Sequence, residues 1–186
     1  MAGGGDEALV RRAQKGDRTA FDELVVRHRD RVYAVTLRLT RNSADAEDAL
    51  QETFLNAYRA LGRFGGRAQV STWLYRIAIN ASYDLIARRK QTTSIDDVTG
   101  PEPAASGDPY AQSAQRAALE RALAALPDEF REAVVLSDIA GLGTNEIGAI
   151  LGVPAGTAKS RVFRGRAQLA TMLREPTAGN AVEGPG

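Results

Sequence analysis

Between residues 155 and 174 the chain carries five basic side chains, Lys159, Arg161, Arg164, Arg166 and Arg174, and no acidic one. Helical spacing divides the segment into two sides. Ala158, Val162, Leu169 and Leu173 recur at three-to-four steps or their multiples and are expected to turn inward. Thr157, Lys159, Ser160, Arg161 and Arg164 are left mostly outside. Phosphate binding rewards a one-sided positive charge, and base-edge reading in a major groove needs polar side chains near a helix start. Upstream, Ile147, Ile150 and Leu151 share the apolar face of a shorter helix. Gly152 follows where a left-handed residue can end a helix, and Pro154 suits the opening of the next. Residues 144–169 therefore read as a helix-turn-helix whose second helix is armed for DNA. A solvated amphipathic helix at the end of a bundle would explain the spacing, but not the turn chemistry and the charge together.

The elements that must position this helix are themselves helical. Residues 7–90 have helical periodicity nearly throughout, without an alternating strand, and the pattern resumes over 113–174. Residues 91–112 change character: they are rich in Gly, Pro and Ser, with four acids (Asp96, Asp97, Glu102, Asp108) and no base. The expected fold is all-α, with two small helical domains, 7–90 and 113–174, joined by a flexible acidic linker over 91–112. A disordered tail is expected over 175–186, with no further folded domain after Leu173.

In the first domain, a helix beginning near Asn42 has that residue as its N-cap and Asp45, Glu47 and Asp48 beside the positive end of its dipole. Ala46, Leu50, Phe54, Ala57 and Leu61 form its buried stripe. Asp48, Gln51, Glu52 and Arg59 lie opposite, with Leu55 among them, an apolar residue placed to anchor a partner. A second amphipathic helix spans about 71–90. Leu74, Ile77, Ala78, Ala81 and Leu85 mark its core side, and Arg76, Asn80, Asp84 and Arg88 form a polar ridge at steps of four. Residues 62–91 hold six basic side chains, Arg63, Arg67, Arg76, Arg88, Arg89 and Lys90, against one acid, Asp84. Trp73 and Tyr75 follow the loop 64–70. Aromatics beside arginines and amides are what single-stranded nucleic acid uses for stacking and edge contacts, although a lone tryptophan in a small domain more often packs in the core, and packing is the expectation for Trp73.

Composition excludes more than it assigns. The 186 residues contain no cysteine, so disulfides, thiol catalysis and cysteine–zinc sites are absent from the chain. The only histidine, His28, lies in the run Arg27-His28-Arg29 and is expected at the surface. With no nucleotide-binding glycine loop and no paired-carboxylate motif, neither an enzyme nor a cofactor, metal or catalytic residue is expected. Net charge is only +1, so partners follow from the patches and not from the total. No apolar run approaches ~18 residues and no signal-peptide pattern opens the chain, so a soluble, cytoplasmic protein without direct membrane insertion is expected.

Three segments, Asp45-Ala-Glu-Asp-Ala-Leu-Gln-Glu-Thr-Phe54, Ser71-Thr-Trp-Leu-Tyr-Arg-Ile-Ala-Ile-Asn80 and Gly152-Val-Pro-Ala-Gly-Thr-Ala-Lys-Ser-Arg161, resemble the extracytoplasmic-function (ECF) group of bacterial sigma factors. The resemblance runs from about Glu7 to Leu173 in the family's order. It implies a factor that binds core RNA polymerase, with a first domain for the −10 promoter element and a second for the −35 element. It also implies that Asp48, Gln51, Glu52 and Leu55 dock on the clamp helices of the polymerase's largest subunit. Arg67, Ala68, Gln69 and Ser71, with Arg76, Asn80 and Arg88, would hold a base flipped from the single-stranded −10 element. Thr157, Lys159, Ser160, Arg161, Phe163 and Arg164 would read the duplex −35 element, Phe163 lying against a thymine methyl or sugar. The sequence departs from the family at Gly143-Thr144-Asn145, which replaces a tyrosine- or serine-led helix start, and at Ala158 and Gly165, where larger residues are frequent. An anti-sigma partner is implied as well, one that could hold the protein at the membrane. The rival reading, a stand-alone helix-turn-helix regulator, needs no polymerase and leaves the first domain without a role.

Overall fold

A computed structural model describes residues 3–92 and 111–174. Most of the expected linker and the whole expected tail lie outside the described residues. Eight α-helices, and no strand, occur among the described residues. Helix α1 (Gly3–Gln14) leads through a short turn into α2 (Arg18–Thr40), whose N-cap is Asp17. Hydrogen bonds from Thr19 and then Arg12 hold the Asp17 carboxyl down at about 2, so the cap is charged at any ordinary pH. Arg41 ends α2 in the left-handed region at φ 58°, its N–H bonded to the Leu37 carbonyl at 2.8 Å. Helix α3 (Ser43–Ala60) starts on the predicted cap, the Asn42 side chain accepting from the Asp45 N–H at 3.0 Å. It runs into a 3-10 turn, Leu61–Arg63, and a loop that leads to α4 (Val70–Thr92).

The second half begins with α5 (Ala111–Ala125). Helix α6 (Asp128–Val134) continues directly into a π-helical turn, Val135–Ile139, and is followed by α7 (Thr144–Leu151) and α8 (Ala155–Arg174). Gly152 closes α7 at φ 68°, as its position after the apolar stripe predicts. Close approach explains the two other conspicuous glycines. A Cβ on Gly148 would sit 2.7 Å from the Val153 carbonyl oxygen, and one on Gly165 would sit 2.6 Å from Val134 Cγ2 and 3.1 Å from the Phe130 carbonyl oxygen. The small residue at 165 thus lets α8 cross α6 in contact.

Burial agrees with the predicted stripes in α3 and α4, where Ala46, Leu50, Ala57, Leu61, Leu74, Ala78 and Ala81 are buried. Trp73 is half-buried, with its ring tilted against Phe64 at a centroid distance of 4.7 Å, which is the packing role expected of it. Two expectations fail. His28 is buried at 8% exposure because α1 covers it, and its Nε2 lies 2.8 Å from the Asp6 carboxylate, which also binds Arg27 at 3.2 Å. Leu173 does not turn inward: it is 47% exposed, one turn beyond buried Leu169.

The halves are docked. One continuous apolar cluster joins Leu9, Val32, Val35, Leu74 and Tyr75 of the first half to Val135, Leu136, Leu142 and Ile147 of the second. The second half keeps only a small cluster of its own: Ala122, Leu123, Leu126, Val134 and Leu169. Full burial of an aliphatic side chain is worth about 1.5–3 kcal/mol, so the shared seam is a substantial part of the stability of both halves. Polar contacts frame it. Arg38 pairs with Glu120 at 2.9 Å, Arg41 donates to the Ala124 carbonyl at 3.1 Å, and Thr72 donates to Glu146 at 2.7 Å. Arg76 donates to the Ala149 carbonyl at 3.3 Å.

One seam residue opposes docking. The buried Tyr83 hydroxyl faces Glu132 without a well-formed hydrogen bond, and burial raises both groups' pKa values. Asp128 adds to the rise at Glu132, while Arg131 and Arg161 moderate it. A carboxyl with a raised pKa in the docked state takes up a proton on docking. Its contribution is complete below the ordinary value of 4.5 and is lost as pH rises through the raised value. Glu132→Gln is expected to tighten docking at neutral pH and to flatten its pH dependence, read as energy transfer between dyes on the two halves. Gly165→Leu is expected to lower stability by ~1–3 kcal/mol through overpacking against Val134, read as a lower midpoint in urea.

Candidate nucleic-acid and polymerase interfaces

On α8 the predicted −35 side chains emerge in two classes. Thr157, Lys159 and Arg164 are exposed, and Phe163 is 73% exposed between them. A phenylalanine so exposed beside two cations has no packing role among the described residues. Ser160 and Arg161 are half-buried, and Arg161 is already engaged, its guanidinium 3.0 Å from Glu129 on α6. Arg166 is likewise paired with Asp138 and donates to Ser137 at 3.1 Å. The positive charge that looked uniform along the sequence is therefore divided. Lys159 and Arg164 face outward, while Arg161 and Arg166 brace α8 against α6 and the π-helical turn.

Of the predicted −10 residues, Arg67, Ala68, Gln69 and Ser71 gather at the start of α4 (Val70–Thr92), while Arg76, Asn80 and Arg88 are spread along it toward its far end. Residues 65–69, including Arg67, Ala68 and Gln69, are exposed, and Gly66 takes φ +69°. That angle bends the loop outward at little steric cost. Its two ends are fixed. The Gln69 carbonyl accepts from the Trp73 N–H at 3.0 Å, and Phe64 rests on Trp73. Ser71 is half-buried at the helix head, while Asn80 and Arg88 are exposed along the ridge. Arg76 is exposed but already meets the second half through the Ala149 carbonyl. Thr72, which the sequence did not single out, is buried one turn earlier and holds Glu146. The docked second half thus overlaps the first turns of the ridge.

On α3, Asp48 and Gln51 are exposed, Glu52 is half-buried and Leu55 is 44% exposed, all along one side of the helix. Tyr58 extends that face by one turn. It is 45% exposed and meets Phe21 of α2 edge-on, with ring centroids 5.0 Å apart. Its spacing of three from Leu55 was the signal that could have found it. Asp45 is drawn away from this face to Arg89 of α4 at 2.9 Å. Among the described residues no group of three or more His, Asp or Glu side chains could hold a metal ion. No helix there is long and apolar enough to cross a membrane.

Known proteins match both halves. Residues 24–92 match the model of sigma-70 region 2, and residues 116–169 match that of sigma-70 region 4. The chain is 42% identical over 170 residues to the ECF RNA polymerase sigma factor SigM of Mycobacterium tuberculosis, covering 90% of this chain and 84% of that protein. It is 38% identical over 173 residues to the ECF RNA polymerase sigma-E factor of Escherichia coli, covering 87% and 90%. A solved structure, the sigma factor RpoE in complex with the anti-sigma factor NepR from Bartonella quintana, is similar at a TM-score of 0.69 and 26% identity, over 82% of this chain and 96% of that one. Two sigma modules in the family's order, with relatives of this identity over most of the chain, lead to one conclusion: the chain belongs to the ECF group of bacterial RNA polymerase sigma factors.

Proposed function

We propose that this sigma factor divides promoter recognition among the three faces just described. The α3 face, Asp48, Gln51, Glu52 and Leu55, docks on core polymerase. The loop and ridge, Arg67, Ala68, Gln69, Ser71, Arg76, Asn80 and Arg88, hold the opened −10 strand. The outer face of α8, Thr157, Lys159, Ser160, Arg161, Phe163 and Arg164, reads the −35 duplex. The observation that carries the reading is Phe163, 73% exposed between outward-facing Lys159 and Arg164 on a helix-turn-helix, in a chain that also carries a sigma region 2. A stand-alone regulator would have no use for that first module. Action on chromosomal promoters would place the protein in the bacterial cytoplasm.

Geometry also sets the order of events. Promoter elements two helical turns apart lie about 70 Å from each other. In the docked state the ridge and α7 are in hydrogen-bond contact, with Arg76 3.3 Å from the Ala149 carbonyl. A coil of the linker's size averages ~25 Å end to end, so the two DNA faces reach both elements only when something holds them apart. Core polymerase supplies that scaffold and raises the effective concentration of the second contact. Opening itself costs about 1.4 kcal/mol of stacking per base step, and captured bases tip a balance that polymerase has brought close to even. An anti-sigma partner would act by covering the same faces, and one tied to the membrane would retain the factor there.

Run-off transcription with purified core polymerase on a library of bipartite promoters tests the reading. Specific transcripts that depend on the added protein are expected; tight binding to duplex DNA alone, with no stimulation, would restore the stand-alone regulator. On the selected promoter, Arg164→Ala should weaken −35 recognition by ~1–3 kcal/mol with core affinity unchanged. Asn80→Ala should slow open-complex formation while duplex contacts persist. If Asn80→Ala instead unfolds the first half, its role is structural.

A further inference from the structure

Helix α1 lies outside the segment that matches region 2, which begins at residue 24. Yet its last residue reaches the loop assigned to the −10 strand. The Gln14 side-chain amide donates to the Leu61 carbonyl at 2.9 Å and to the Phe64 carbonyl at 3.0 Å. Those carbonyls close the 3-10 turn from which the exposed loop 65–69 departs. Carbonyls at the end of a helix lack intrahelical donors. The Leu61 carbonyl already accepts from the Phe64 N–H at 3.1 Å, and Gln14 fills the remaining capacity while bridging to the next residue outward.

Gln14 is itself held from behind. Leu9 and Val10 bury α1 in the shared core at 4% and 3% exposure, and Asp6 ties its first turns to His28 and Arg27 of α2. Gln14 is exposed, but its two bonds stand at the end of a helix that is braced from behind. A loop that must hold a flipped base works best when its departure point does not wander, since small misplacements in a binding geometry cost one to two orders of magnitude in rate.

We propose that Gln14 is a positioning residue for −10 strand capture: α1 fixes the base of the loop through the two amide hydrogen bonds. This rests on the assignment of the loop to the −10 element. Gln14→Glu replaces the two-proton donor with an acceptor facing two carbonyls, and Gln14→Met removes the donor at similar volume without adding charge. Gln14→Lys restores a donor of similar reach. The full-length variants are compared with core polymerase on the promoter selected by the wild-type protein. Open-complex formation is read by permanganate reactivity, and core affinity, −35 duplex protection and thermal midpoint are measured alongside.

Gln14→Glu and Gln14→Met should slow opening by about tenfold or more, with core affinity and −35 protection unchanged. Gln14→Lys should recover most of that loss. Opening at the wild-type rate in both donor-free variants would overturn the proposal. Parallel losses of opening, core affinity and thermal midpoint would overturn it too, because the bond would then only stabilise the fold. If the wild-type protein opens no promoter at all, it is the functional assignment of the loop that fails.

Discussion

The apolar seam between the halves is the constraint from which the rest of the molecule follows. A helical module of the second half's size buries a smaller fraction of its surface than a larger domain does. Its private cluster, Ala122, Leu123, Leu126, Val134 and Leu169, is correspondingly small. Val135, Leu136, Leu142 and Ile147 join the first half's core instead. Undocking returns part of that surface to water, so any assembly that separates the halves must offer comparable burial or many charge contacts in return. Recognition of a bipartite site and stability of the free protein thus draw on the same side chains in opposite directions.

The polar contacts around the seam show how such a transition stays accessible. Thr72–Glu146 and Arg76–Ala149 join the first turns of α4 to α7, and neither is a deeply buried ion pair. Away from the seam, within the second half, Arg161–Glu129 and Arg166–Asp138 are exposed enough for water to screen them. Exposed ion pairs are worth about 0–1 kcal/mol each, little enough for phosphate or a polymerase surface to replace them. Within the seam, Glu132 works against docking because burial disfavours its charge. The apolar side chains give the docked state its strength, and the polar ones keep that strength moderate.

What the sequence could disclose was local. Asn42, Gly152 and Pro154 punctuate helices by their own conformational preferences, and the stripes of α3 and α4 follow from helical period alone. The helix-turn-helix was legible for the same reason, whereas Phe163 entered only through the resemblance to the family. His28 was not, because its burial depends on Asp6, 22 residues earlier, meeting it from another helix. The Arg161–Glu129 pair is equally remote from any periodic signal, and it leaves only part of the basic face outward. Leu173 continues the pattern of α8 correctly but is exposed one turn beyond buried Leu169, which a period cannot reveal. Docking is a property of two modules that are each self-consistent as sequences, so neither one announces it.

The same distinction separates residues that touch a ligand from residues that make touching productive. The side chains on the exposed loop, Arg67, Ala68 and Gln69, sit between two fixed ends, with Gly66 at φ +69° supplying the bend. Rigidity at both ends would limit the entropy lost in the proposed capture of a strand, and the exposed middle leaves its side chains unobstructed. Phe64 on Trp73 fixes one side of the loop's root and Gln14 the other. The tryptophan that composition marks as a stacking candidate packs within the protein, against Phe64 at the root of the loop. Specificity at such a site belongs to the exposed residues, but the energy with which they express it depends on packing behind them.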